Sequence, residues 1–198
     1  GSLIDNGREI SIKGSIINNG THASPVAEAG GLLLNGSGLQ TIEGTGSLGR
    51  LKINNTSGLA LASDHQVNNS IIFQNGSINL GSRLLTLDAN SALVAEGSPF
   101  SASKMIYTDG TMNALGVKKG FPANVFDFSF PVGTVGKFAP VRFHVVQNNE
   151  AGYISVVPVN SELSAAVGAG SLNPKVLNYY WNIGSEGFNN LLSNVYLY

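Results

Sequence analysis

Leu51-Lys52-Ile53-Asn54-Asn55-Thr56-Ser57-Gly58-Leu59-Ala60-Leu61-Ala62-Ser63-Asp64-His65-Gln66-Val67 holds three short apolar stretches separated by Asn, Ser and Gly, and all three return about twenty residues later. Leu51, Lys52 and Ile53 lead to Ile71, Ile72 and Phe73 at an offset of 20, and then to Ala92, Leu93 and Val94 at 21. Leu59 and Leu61 lead to Ile78 and Leu80 at 19, while His65 and Val67 lead through Leu85 and Leu87 to Met105 and Tyr107 at 20 each time. Going backwards, Ile12 leads to Leu32, Leu32 and Leu34 lead to Leu51 and Ile53, and Gln40 and Ile42 lead to Leu59 and Leu61. A fixed period of this size marks a repeat architecture in which each unit buries its apolar face only against the next. Three strand positions per period predict a parallel β-helix of about five turns over residues 1–115. At about 4.8 Å per turn the stack is roughly 25 Å long, and residues such as Ile53, Phe73 and Val94 form one internal ladder. An antiparallel meander also gives short strands, but has no reason to keep one offset through several cycles.

The composition agrees with an all-β chain. Of 198 residues, 42% are hydrophobic, enough to build a core, and 25 are Gly. Asn-Gly pairs begin at Asn6, Asn19, Asn35 and Asn75, where residues tolerant of positive φ serve as turns. Only 12% of residues are charged and the net charge is -1, so neither nucleic acid nor an anionic membrane surface is an expected partner. The absence of cysteine excludes a disulfide scaffold and a thiolate metal site. No apolar run is long enough to span a bilayer as a helix. Gly1-Ser2-Leu3-Ile4-Asp5-Asn6-Gly7 is echoed by Gly14-Ser15-Ile16-Ile17-Asn18-Asn19-Gly20, so the chain reads as part of a longer protein.

Beyond residue 115 the texture changes. Phe126, Phe128 and Phe130 alternate with Asp127 and Ser129, and longer, more aromatic strands follow at Val141–Val146, Gly152–Val159, Asn178–Ile183 and Asn194–Tyr198. Residues 116–198 therefore read as an antiparallel β-sandwich-like module whose last strand is still running at Tyr198. Its junction with the helix is expected at Thr108–Pro122, around the Asp109-Gly110 and Lys119-Gly120 pairs.

Gly38-Leu39-Gln40-Thr41-Ile42-Glu43-Gly44, Gly58-Leu59-Ala60-Leu61 and Gly76-Ser77-Ile78-Asn79-Leu80-Gly81, followed by Phe128-Ser129-Phe130-Pro131-Val132-Gly133-Thr134 and Tyr180-Trp181-Asn182-Ile183, carry a resemblance. The ordered set resembles the β-helical repeats and following sandwich of large surface or secreted proteins exported by the type IX route in gliding Gram-negative bacteria. The resemblance implies a secreted or outer-surface location, a multidomain parent and an adhesive or architectural role, with no catalytic residue and no cofactor.

The residues themselves offer little chemistry. His22, His65 and His144 stand at no metal-ligand spacing and read as surface or turn histidines. Gly31 to Gly38 is followed by strand signals, not by the helix of a phosphate loop. Glu43 and Asp64, like Asp88 and Asp109, are 21 apart and would fall on adjacent turns if that offset held. A glycosidase or calcium-assisted lyase would use such a pair. Tyr179 or Trp181, where exposed, could stack on a sugar, although a place in the sandwich core suits Trp181 better. The expected function is thus a non-enzymatic structural or adhesive segment. The alternative is a carbohydrate-binding or carbohydrate-processing β-helix using Asp109, Glu43, Asp64 and Trp181, and the partner in either case is a polysaccharide or cell-surface polymer.

Overall fold

The computed structural model describes residues 1–162 and 178–198; the part of the expected 116–198 module between 163 and 177 lies outside them. It is an all-β solenoid of about six turns, one more than the repeats predict, and it contains no helix among the described residues. Three sheets run along it. Sheet A stacks β1 (Ser2–Ile4), β4 (Thr21–Ala23), β7 (Ser47–Leu48), β10 (His65–Val67), β13 (Leu84–Leu87) and β16 (Gly116–Phe121). Sheet B stacks β2 (Glu9–Ile12), β5 (Gly31–Leu34), β8 (Leu51–Asn54), β11 (Ser70–Asn75) and β14 (Ala92–Ala95). Sheet C stacks β3 (Ile16–Ile17), β6 (Gln40–Glu43), β9 (Leu59–Leu61), β12 (Ile78–Gly81), β15 (Ile106–Thr108) and β18 (Val132–Thr134).

All pairings within these three stacks are parallel. Strands of two to six residues are too short to hold alone; they hold because every turn presents the same alternate residues inward. Leu34, Ile53 and Phe73 make one ladder, Ile42, Leu59 and Ile78 line the facing sheet, and Leu48, Val67 and Leu87 a third, all buried. Each such burial is worth about 1.5 to 3 kcal/mol.

Loop length sets the offset from turn to turn. Four residues precede β14 (88–91) where two precede β11, so Ile71 pairs with Leu93 and Phe73 with Ala95. The offset there is 22 and Val94 faces outward, not into the ladder expected for it. Residues 24–30 likewise push the partner of Ile12 from Leu32 to Leu34. Ten residues (96–105) separate β14 from β15 and seven (109–115) separate β15 from β16. Leu85 therefore pairs with Val117, while Met105 and Tyr107 fall in or beside sheet C, correcting their expected place behind Leu85 and Leu87.

The far end closes differently. β16 is parallel to β13 on one side and antiparallel to β21 (Gly152–Val159) on the other, and β21 pairs antiparallel with β22 (Tyr180–Glu186). Sheet C ends in the short antiparallel strand β19 (Lys137–Phe138). β17 (Phe126–Phe130) arrives where sheet B would continue, yet pairs with β20 (Val141–Gln147), which pairs with β23 (Leu192–Leu197) in a separate antiparallel sheet. Val141, Phe143 and Val145 of that sheet share one apolar core with Ile154 and Val156 of sheet A and with the solenoid ladders. The stretch Thr108–Pro122 expected as the junction thus contains β16 of sheet A, and Lys119-Gly120 is strand, not turn.

Candidate functional site

The paired carboxylates do not meet. Glu43 ends β6 one residue past Ile42, which pairs with Leu61, so its neighbour on the next turn is Ala62. Asp64 lies on the other side of a corner at the start of β10, where its Oδ1 accepts the Leu84 amide at 2.9 Å. The local offset is 19, two short of the 21 that would stack them. Asp88 follows β13 in sheet A and Asp109 follows β15 in sheet C. Asp109 Oδ1 accepts from the amide and the hydroxyl of Thr111 at 3.0 and 2.8 Å, closing its own turn beside Gly110 at φ 77. Trp181 is half-buried, packs on the core and donates its indole N–H to the Ala139 carbonyl at 2.9 Å. The four expected residues belong to four separate places.

Solenoid interior and flanks spend their polar groups on one another. His22 and His65 are buried, not at the surface as expected. His22 Nδ1 accepts the Gly49 amide, which places the proton on Nε2, 3.2 Å from Asp5 Oδ2. Ser24 Oγ donates to that same oxygen at 2.5 Å and the Gly7 amide donates to Oδ1. Burial pushes the Asp5 carboxyl up, but these donors outweigh it and hold it below the usual carboxylate range; burial pushes His22 down. With His22 and Ser24 both donating to one carboxylate, the imidazole does not accept from the serine and the trio is a structural knot. Gln40, buried at a corner, donates to the Ile12 and Gly14 carbonyls and accepts from Gly36 and Asn55. On the flanks Lys52 meets Glu9 at 2.7 Å and Gln74 meets Glu96 at 2.9 Å.

Lys119 is the buried cation of the closing strand. Its Nζ donates to the carbonyls of Asp88, Ala89 and Gly120 at 2.6 to 2.8 Å and lies over the Phe121 and Phe128 rings. Burial brings it down to about 8, partly offset by Asp88.

Exposed reactive and aromatic groups gather on the three-stranded sheet. Strand alternation puts Asp127 and Ser129 of β17, Arg142 and His144 of β20, and Asn194 and Tyr196 of β23 on its outer face, with His144 opposite Asp127 and Arg142 opposite Tyr196. Asp127 binds His144 Nδ1 at 2.8 Å through Oδ2 and Arg142 NH2 at 2.8 Å through Oδ1; these bonds hold its carboxyl below the usual range. The Arg142 guanidinium lies 5.8 Å from the Tyr196 ring centre. Beside this face runs a groove of about 550 Å³ walled by Phe100, Pro131, Phe138, Pro140 and the 65% exposed Tyr198, with Ser129 and Arg142 at its rim.

The groove thus sets an exposed tyrosine ring and apolar walls beside the hydrogen-bonding groups of Ser129 and Arg142. Among the described residues no three His, Asp or Glu side chains converge as a metal site. Sequence reasoning missed this face because its signal, alternation of Asp127, Ser129, Arg142 and His144 with apolar residues, reads first as an ordinary half-buried strand. No protein-family model, curated protein or solved structure matches the chain.

Proposed function

We propose that the chain is a non-enzymatic structural and adhesive segment of an exported cell-surface protein, with the solenoid as spacer and the antiparallel sheet as the contact surface for a carbohydrate polymer. The observation that carries the reading is the contrast between the two: buried polar groups of the parallel turns such as Asp5, His22 and Gln40 are bound to one another or to backbone, whereas Tyr198, 65% exposed, stands beside an apolar groove with Arg142 at its rim. The separation of Glu43 from Asp64 and of Asp88 from Asp109 leaves the carbohydrate-processing alternative without its paired acids.

Co-sedimentation with insoluble neutral and acidic polysaccharides, with and without calcium, tests it. The chain is expected to be retained by at least one polymer without shortening it, and to lose retention when Tyr198 and Arg142 are both replaced by Ala. Any cleavage of the polymer overturns the non-enzymatic reading. Retention unchanged in the double variant overturns the placement of the contact.

A further inference from the structure

Three cationic side chains are buried among the described residues, Arg50, Lys104 and Lys119, and none of them forms an ion pair. Each goes instead to the carbonyls of a corner that is longer than its counterparts on other turns. The corner from sheet A to sheet B takes two residues at 49–50 and 68–69 but seven at 24–30 and four at 88–91. That from sheet B to sheet C takes two to five residues on the earlier turns but ten at 96–105. Arg50 Nη1 donates to the Ala29 carbonyl in 24–30, while its Nε and Nη2 donate to Ser70 Oγ at 3.0 Å and Asn69 Oδ1 at 3.5 Å on the next turn. Lys119 reaches the carbonyls of Asp88 and Ala89 in 88–91. Lys104 folds 96–105 onto itself: its Nζ donates to the carbonyls of Glu96 and Ser98 at 2.7 and 3.1 Å and to Ser98 Oγ at 3.0 Å.

A short corner leaves few backbone groups outside the ladders. A long one carries carbonyls that no strand pairs, and a buried carbonyl without a donor is costly. An ammonium brings three donors and a guanidinium five on one side chain, so a single residue gathers several acceptors, and its charge strengthens each bond. We infer that Arg50, Lys104 and Lys119 are built-in cations that latch these three corners one by one, each corner opening by release of its own latch while the strands on either side stay stacked. No bonded partner is shared between two latches, so the release of one leaves the others closed. The other long corner, 109–115, marks the limit of the device. None of the three cations reaches it, and it is tied from outside, the Asn160 amide donating to the Gly110 carbonyl at 2.8 Å.

Arg50→Met, Lys104→Met and Lys119→Met in the 198-residue chain, exposed to a broad-specificity protease at a pH well below the Lys119 value of about 8, test the latches. Because cutting follows the population of the open form, each variant is expected to be cut roughly ten- to a hundredfold faster at its own corner. Cutting at the other two corners and at 109–115 stays as in the wild type, and so does amide protection in β8 and β11. A variant cut no faster at its own corner overturns the inference. Faster cutting at every corner, with protection lost in β8 and β11, overturns independent opening and makes the cation a support of the whole stack. The wild type supplies a second reading that needs no variant to fold. The amides of Ser91 and Ser98, bonded inside their corners to the Asp88 and Glu96 carbonyls, are expected to exchange at rates that low denaturant leaves unchanged, whereas those of β8 and β11 speed up. Corner amides that speed up in step with β8 and β11 overturn the inference as well.

Discussion

The parallel turns and the antiparallel closing end solve the same problem with opposite economies. In the turns, strands of two to six residues persist because each inward side chain has a like neighbour above and below. At the closing end there is no next turn, and strands of seven and eight residues, β20 and β21, take over. There the core is filled by rings: Phe121 stacks on Phe126 at 3.9 Å, and Phe128 and Phe130 meet edge to face at 4.9 Å. Repetition lets small units share stability, and the loss of repetition has to be offset by length and aromatic bulk.

The widest separation between the regions is expected at Phe73, fully buried in the middle of a ladder. Phe73→Asp puts a charge between Ile53 and Ala95 and should cost more than about 5 kcal/mol, giving insoluble or protease-sensitive protein. A normal melting curve for that variant would break the shared-ladder account. Next is Lys119, where the two regions join. Between about pH 8 and the ordinary lysine value near 10.5 the unfolded chain holds a proton that the folded chain has released, so stability rises with pH by up to about 3 kcal/mol. Denaturant titrations across that range should show this rise in the wild type and not in Lys119→Met.

The Asp5 knot sharpens the comparison in the first turns. Asp5→Ala strands the donors of His22, Ser24 and Gly7 and should cost about 1 to 3 kcal/mol. Acid acts on the same group. His22 titrates below its ordinary 6.5, so from that pH downward the unfolded chain binds the extra proton and stability falls. Asp5, held below 3.8, adds a second fall under that value which Asp5→Ala lacks. Hydrogen exchange of the β1 and β4 amides from pH 7 to 3 reads both steps. The smallest stability effect is expected at Tyr198→Ala, within about 0.5 kcal/mol because the ring is exposed, while polymer retention drops.

The middle turns were legible because strand and loop lengths together add up to nearly the same number of residues in each turn. From Leu32 to Leu51, from Gln40 to Leu59 and from Leu59 to Ile78 the offset stays at 19, so a fixed step finds the true partner. The step failed wherever a corner lengthens, at 24–30, 88–91 and 96–105, since periodicity reports spacing along the chain whereas stacking depends on the distance across a corner. The closing strands were visible from their alternation, but not that β16 and β18 would join the parallel sheets, because one edge of a strand can be parallel and the other antiparallel with the same residues. The candidate face was hidden for a further reason. Asp127, Arg142 and His144 come from two strands and gain meaning only through register.

Because neighbouring turns are joined by backbone bonds that run along the long axis, a pull applied between the two ends would load those bonds turn by turn rather than all together. Each turn of 19 to 22 residues that peels away in the middle of the stack adds about 65 to 75 Å of slack before the next one is strained. A tether built this way yields in measured steps and shortens again as turns re-stack, absorbing a sudden drag that a rigid rod would pass straight to whatever it grips.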